Sequence, residues 1–143
     1  MRIKTAGTDP WHSSSGGEEW ITFEFPENTT LQGFRTKAHS GWGGSHFKDF
    51  RFEYASGSDD WHTFYTGQGS NLDCCEWETI VFDTNSPATQ KFRLFMINTW
   101  GYPYLTLEQL QLYYSCETGT SDDISLFSVL LHNYTKYDQI CLK

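Results

Sequence analysis

Positive charge is in short supply in this chain. Lys and Arg total 10 against 18 Asp and Glu, a formal net charge of −8. With no basic patch to displace counterions from phosphates, nucleic acid is not an expected partner. Attraction to anionic lipid is disfavoured for the same reason. Long apolar runs are missing too: the longest, near Ile124 to Leu131, falls far short of the about 20 residues that cross a bilayer. The N-terminus (Met1-Arg-Ile-Lys4) has charge but no hydrophobic segment behind it, so it does not read as a signal peptide. Cys74, Cys75, Cys116 and Cys141 form no Cys-x-x-Cys, which argues against a zinc ribbon or a thioredoxin-like centre. Neighbouring Cys74 and Cys75 are not expected to bond each other, because the ring they would close is strained.

Catalytic signatures are absent as well. Gly43-Gly44-Ser45-His46 and Gly57-Ser58-Asp59 both fail the nucleophile-elbow pattern, and there is no phosphate loop or dinucleotide fingerprint. Asp59 and Asp60 resemble an acid–base pair, but adjacent residues on a hairpin point in different directions. The chain is therefore expected not to be an enzyme. No internal repeat is visible, which excludes a propeller or solenoid.

Aromatics, by contrast, make up 17% of the residues, and glycine is plentiful where Met and Pro are few. At 143 residues this composition fits one all-β domain with many tight turns. Ile21, Phe23 and Phe25 alternate with Thr22 and Glu24, a half-buried strand. Pro26-Glu-Asn28 reads as a turn and Leu31 to Lys37 as the next strand. Phe50, Phe52 and Tyr54 face inward and Asp49, Arg51 and Glu53 outward, with Ser56 to Asp60 as a turn and Trp61 to Tyr65 as the returning arm. Glu76 to Phe82 and Gln90 to Ile97 follow. Beyond Leu105 the apolar phase slips, and a bulge near Glu108 and Gln109 accounts for it. About seven closely spaced strands without an amphipathic helix predict a sandwich or barrel. Residues 1–116 form that domain; 117–143 are a polar linker and a tail.

Two loops attract a binding role. Asn98-Thr-Trp-Gly-Tyr-Pro-Tyr104 places large aromatics in a turn, where they cannot all serve a core. Trp100 and Tyr102 offer flat apolar faces with a polar edge, suited to sugars, other aromatics or a lipid interface. The second loop, His39-Ser-Gly-Trp-Gly-Gly-Ser-His46, adds Trp42 and an imidazole able to donate and accept. His39 and His46 lack further converging ligands, so zinc is not expected. Trp11, Trp20, Trp61 and Trp77 read as core or sheet-face residues.

Laid end to end, these strands resemble the discoidin, or coagulation factor 5/8 type C, family of galactose-binding-like jelly rolls. Thr8 to Ser14 with Glu19 to Phe25 resembles the family's Trp-x-Ser stretch and the strand it leads to. Leu31-Gln-Gly-Phe-Arg35 resembles the next strand, and Phe50 to Trp61 its Tyr-Ser-x-Asp-Gly-x-x-Trp hairpin. Phe92-Arg-Leu94 through Trp100-Gly101 and Leu107-Glu-Gln-Leu110 resembles its closing strands. The resemblance covers about Thr8 to Cys116.

That resemblance implies a non-catalytic jelly-roll β-sandwich, here lacking the usual first strand and its cysteine. Cys116 sits where the closing cysteine would be, unpaired or joined to Cys141. The tail near Ile124 to Leu131 either packs loosely, the favoured reading, or replaces the missing strand. Carbohydrate on glycoproteins or cell surfaces is the implied ligand, gripped by Trp100, Tyr102, His39 and Trp42, with polar help from Asn98 and Arg35. No cofactor is required; a structural calcium ion, held by Asp9 and Glu108, is the one ion the family suggests. A protein partner at the same loops is the alternative and membrane docking ranks below it. Localisation would be extracellular or at the cell surface.

Overall fold

The computed structural model of the chain describes residues 11–13, 18–39, 44–73, 75–116 and 125–130, with Trp11, His12, Cys116 and 125–130 described as backbone alone. Among these residues all regular structure is strand. In chain order the strands are β1 (Trp11–His12), β2 (Glu19–Lys37), β3 (Asp49–Ala55), β4 (Trp61–Gln68), β5 (Trp77–Val81), β6 (Thr89–Met96), β7 (Thr106–Leu107), β8 (Gln109–Cys116) and β9 (Ser125–Leu130). Pairing is antiparallel throughout, in the order β4-β3-β6-β2-β8-β9, with β5 also on β2 and a small β1-β7 ladder apart.

β2 organises the fold. Its first part, Glu19 to Glu24, pairs with β6; its second, Thr29 to Lys37, pairs with β8, and from Gly33 onward with β5 on the other side. Phe34, from that second part, packs its ring 5.3 Å from Phe50 and 4.9 Å from Phe52, both on β3. The curled sheet thus closes into two layers around a core rich in phenylalanine, with Phe23, Phe47, Phe82 and Phe92 also buried. This is the expected jelly-roll sandwich, built because alternate residues of each strand are apolar and face one interior.

The expected turn at Pro26-Glu-Asn28 is instead an irregularity inside one continuous strand, with the register shifting between Glu24 and Thr29. Proline lacks an N–H to give, which a bulge tolerates. The Thr29 hydroxyl donates to the Glu27 carbonyl (3.1 Å) and the Gln90 amide to that of Pro26 (3.1 Å), so the segment keeps its own bonds. The phase slip at Glu108 is real: β7 pairs with β1, whereas Gln109 opens β8 on β2. The tail, expected to pack loosely or to replace the missing strand, has strand backbone at 125–130. It forms β9 along β8, Leu112 opposite Phe127. Residues 117–124 and 131–143, with Cys141, lie outside the described residues.

Glu53 faces outward on β3, as expected, yet is only 4% exposed. Arg51 donates to its carboxylate at 2.8 Å and Arg93 bonds the other oxygen. Burial alone would raise the pKa of this acid, but the bonds from Arg93 and Arg51 outweigh it and hold the carboxyl below its ordinary range. Above it, Arg93 lies 4.3 Å from the Trp61 ring and Arg51 3.9 Å from Phe95, which in turn stacks on Trp20.

Candidate functional site

Three loops meet at one end of the sandwich: 44–48, which leads into β3; 69–73, which leaves β4; and 98–104, which leaves β6. Backbone bonds lace them together. Lys48 N–H donates to the Asn98 carbonyl (2.9 Å), Gly69 N–H to that of Lys48 (2.7 Å) and Trp100 N–H to that of Gly44 (3.1 Å). Gly101, between Trp100 and Tyr102, has φ 103°. Only glycine adopts that conformation without strain, so the aromatic turn needs it there.

Trp100 is pinned as well as placed. Its indole N–H donates to the Gly69 carbonyl at 3.2 Å, and the Lys48 ammonium lies 5.1 Å from its ring centroid. The side of the turn still open to solvent leaves Trp100 38% and Tyr104 43% exposed. Tyr102 and Tyr104 meet edge to face, centroids 6.2 Å apart. The far end of the turn is clamped by Ser13: its N–H donates to the Leu105 carbonyl and its hydroxyl accepts from the Leu105 N–H, each at 2.9 Å. A serine in the Trp-x-Ser stretch therefore fixes where the aromatic turn ends.

Asn98 faces inward to its own scaffold. It donates to the Asp49 carboxylate (2.7 Å) and accepts from the Asp49 N–H (2.9 Å). Those bonds from Asn98, and another from Gln68, hold the Asp49 carboxyl below its usual range. His46 is a structural residue. Nδ1 lies 3.3 Å from the Ser70 carbonyl, which can only accept, so the proton sits on Nδ1 and the Thr36 hydroxyl donates to Nε2 at 2.9 Å. Burial pushes its pKa down to about 4, against the Glu78 carboxylate and the Ser70 carbonyl, which pull it up.

Arg35 is engaged on the other face of β2. It donates to Gln111 and lies 4.5 Å from the Trp77 ring, while its neighbour Thr36 points to His46. Alternation along the strand thus turns Arg35 away from the side that carries the loops. His39 is half-buried just past β2, next to Ala38, whose backbone bonds Glu76 and Cys75. Trp42 and Asp9 lie outside the described residues. Cys75 is disulfide-bonded, to a cysteine whose side chain is outside the described set. Glu108 pairs with the Lys37 ammonium at 2.7 Å, and among the described residues no three His, Cys, Asp or Glu side chains converge. Of the two carboxylates expected to hold a calcium ion, Glu108 alone lies among the described residues.

Sequence reasoning missed Lys48, Gly69, Tyr104 and Ser13. Tyr104 was within reach, since it belongs to the same aromatic turn. The other three act through backbone carbonyls and loop contacts that no local pattern encodes.

A two-layer antiparallel jelly roll with aromatics on laced end loops defines a galactose-binding-like fold. The chain belongs to the F5/8 type C domain family, whose model matches residues 2–108. That family consists of generally non-catalytic binding modules. Among solved structures, the F5/8 type C domain of a Bacteroides fragilis protein is similar, at 18% identity and a TM-score of 0.61, over 80% of this chain and 78% of that one. At that identity the likeness concerns the fold. No curated protein matches the chain.

Proposed function

We propose that this domain is a non-catalytic carbohydrate-binding module acting on glycoproteins or cell surfaces. The observation that supports it is Trp100. Its ring is fixed by the bond to Gly69 and by Lys48, yet more than a third of the residue faces solvent, in a turn that also carries Tyr102 and Tyr104. A ring held in advance gives up little freedom when a sugar stacks on it. Trp100 and Tyr102 supply the stacking surface, Tyr104 extends it, and His39 and Trp42 are the further ligand contacts. Asn98 contributes by fixing the turn to β3, and Arg35 is left outside the site. A disulfide at Cys75 supports an oxidising, extracellular setting. Such a shallow site binds weakly alone and gains strength from several copies.

A glycan array probed with the multimerised domain, with and without chelator, tests this. Binding to a coherent set of terminal sugars is expected, lost in Trp100→Ala and Tyr102→Ala variants that keep the wild-type melting profile. A blank array from folded, multimerised protein would overturn the reading and favour a protein ligand on the same loops.

A further inference from the structure

We propose that this end-loop site takes an acidic sugar, one bearing a carboxylate, and that Lys48 recognises its charge. The proposal rests on the carbohydrate reading and specifies its ligand class. Among the described Lys and Arg residues, nearly every charged group is already held. Lys37 pairs with Glu108, Lys91 with Asp59, and Arg51 and Arg93 share Glu53. Arg35 donates to Gln111 and covers Trp77. Among the described residues, Lys48 is the cation whose head group meets no hydrogen-bond acceptor. Its neighbour is the Trp100 ring, at 5.1 Å.

Acids are not scarce in a chain with net charge −8. The nearest in sequence, Asp49, bonds Asn98 and Gln68, and Lys48 acts on it through space alone, the least of the influences on that carboxyl; Glu78 is turned to Ser70, bonding its N–H and hydroxyl. The loop carboxylates are thus satisfied elsewhere, leaving the ammonium with donors to give. Lys48 is also positioned. Its N–H and carbonyl are both in the lacing that fixes the 98–104 turn, so the stem starts from the same rigid loops as Trp100. A pyranose stacked on the exposed part of Trp100 brings a ring carboxylate toward the cation that lies 5.1 Å from that ring. A charge-assisted bond of that kind is roughly twice as strong as one between neutral groups. A site for neutral sugars alone has no use for it.

Matched sugars isolate the charge. Multivalent conjugates of glucuronic acid and glucose, and of galacturonic acid and galactose, differ at one carbon. Retention is measured for wild type, Lys48→Met, Lys48→Arg and Trp100→Ala, each checked for folding by circular dichroism. Wild type should prefer the uronic acids by about fivefold or more, as a partly exposed ion pair allows, and added salt should erode that preference. Lys48→Met should lose the preference, read as the ratio of uronic-acid to neutral-sugar retention, Lys48→Arg should restore that ratio, and Trp100→Ala should lose retention of both sugars. Equal retention of acid and neutral sugars, or an acid preference unchanged in Lys48→Met, overturns this inference and leaves the carbohydrate reading standing. No retention of any glycan, acidic or neutral, by the folded wild type removes both.

Discussion

Moving from pH 7 to pH 5 should destabilise the domain, and one buried imidazole should account for the change. His46 is almost wholly buried, with Nδ1–H donated to Ser70 and Nε2 accepting from Thr36. Its folded pKa is about 4, against 6.5 for the ordinary side chain. Because the folded value is the lower one, the unfolded chain binds a proton that the folded chain refuses between those two pH values. Stability from this group is complete above pH 6.5 and is lost as pH falls toward 4. The whole gap corresponds to about 3 kcal/mol, of which about 2 kcal/mol is gone at pH 5. Glu53 and Asp49, whose pKa values are lowered from 4.5 and 3.8, lose their contributions only as pH falls below those ordinary values, so their effect is displaced to lower pH. Urea unfolding at pH 7 and pH 5 measures the loss directly. His46→Gln should be less stable at pH 7 but nearly flat across the same interval. The imidazole proton resonance of His46 in the folded protein should not titrate above pH 5. A midpoint near 6.5 in that titration, or superimposable urea curves at the two pH values, would refute the reasoning.

Two further outcomes follow from the packing. In Gly69→Ala the new Cβ would lie 2.6 Å from the Phe47 carbonyl oxygen and 2.8 Å from its ring. Because backbone must shift, about 1–3 kcal/mol of stability should be lost, and tryptophan fluorescence should report Trp100 leaving its acceptor; unchanged stability and emission would contradict the close approach. Arg93→Met removes one of two cations from the buried Glu53 carboxylate and should cost about 2 kcal/mol in thermal unfolding. Adding Glu53→Gln should recover part of that loss, whereas strict additivity would show that the pair is not coupled.

The β3–β4 hairpin was legible because Phe50 and Phe52 alternate with charged residues and a Ser-Gly-Ser-Asp-Asp turn follows. Pro26-Glu-Asn28 misled because turn and bulge use the same residues; what separates them is whether the strand finds a new partner, and that partner, β8, lies more than eighty residues on. Glu53 read as a solvent residue. Alternation assigns it a face but does not foresee that two arginines and their aromatic cover will roof that face. At the candidate site the aromatic turn announced itself, since Trp100 and Tyr102 had no core to fill. Asn98 reads as a ligand contact, but its bond to Asp49, 49 positions away, had no local signal. Lys48 had no local signal at all. It stands out only when the acids that might have paired with it are seen to be occupied.

The continuity of β2 has a consequence for how the molecule comes apart. Most two-layer proteins can fray at the linker between layers, but here the connection is itself hydrogen-bonded strand, anchored to β6 at one end and to β5 and β8 at the other. Neither layer can release this strand without stripping the other of its central or bordering partner. Local opening is thereby tied to global unfolding, and the end loops rest on a scaffold that stays whole or fails at once.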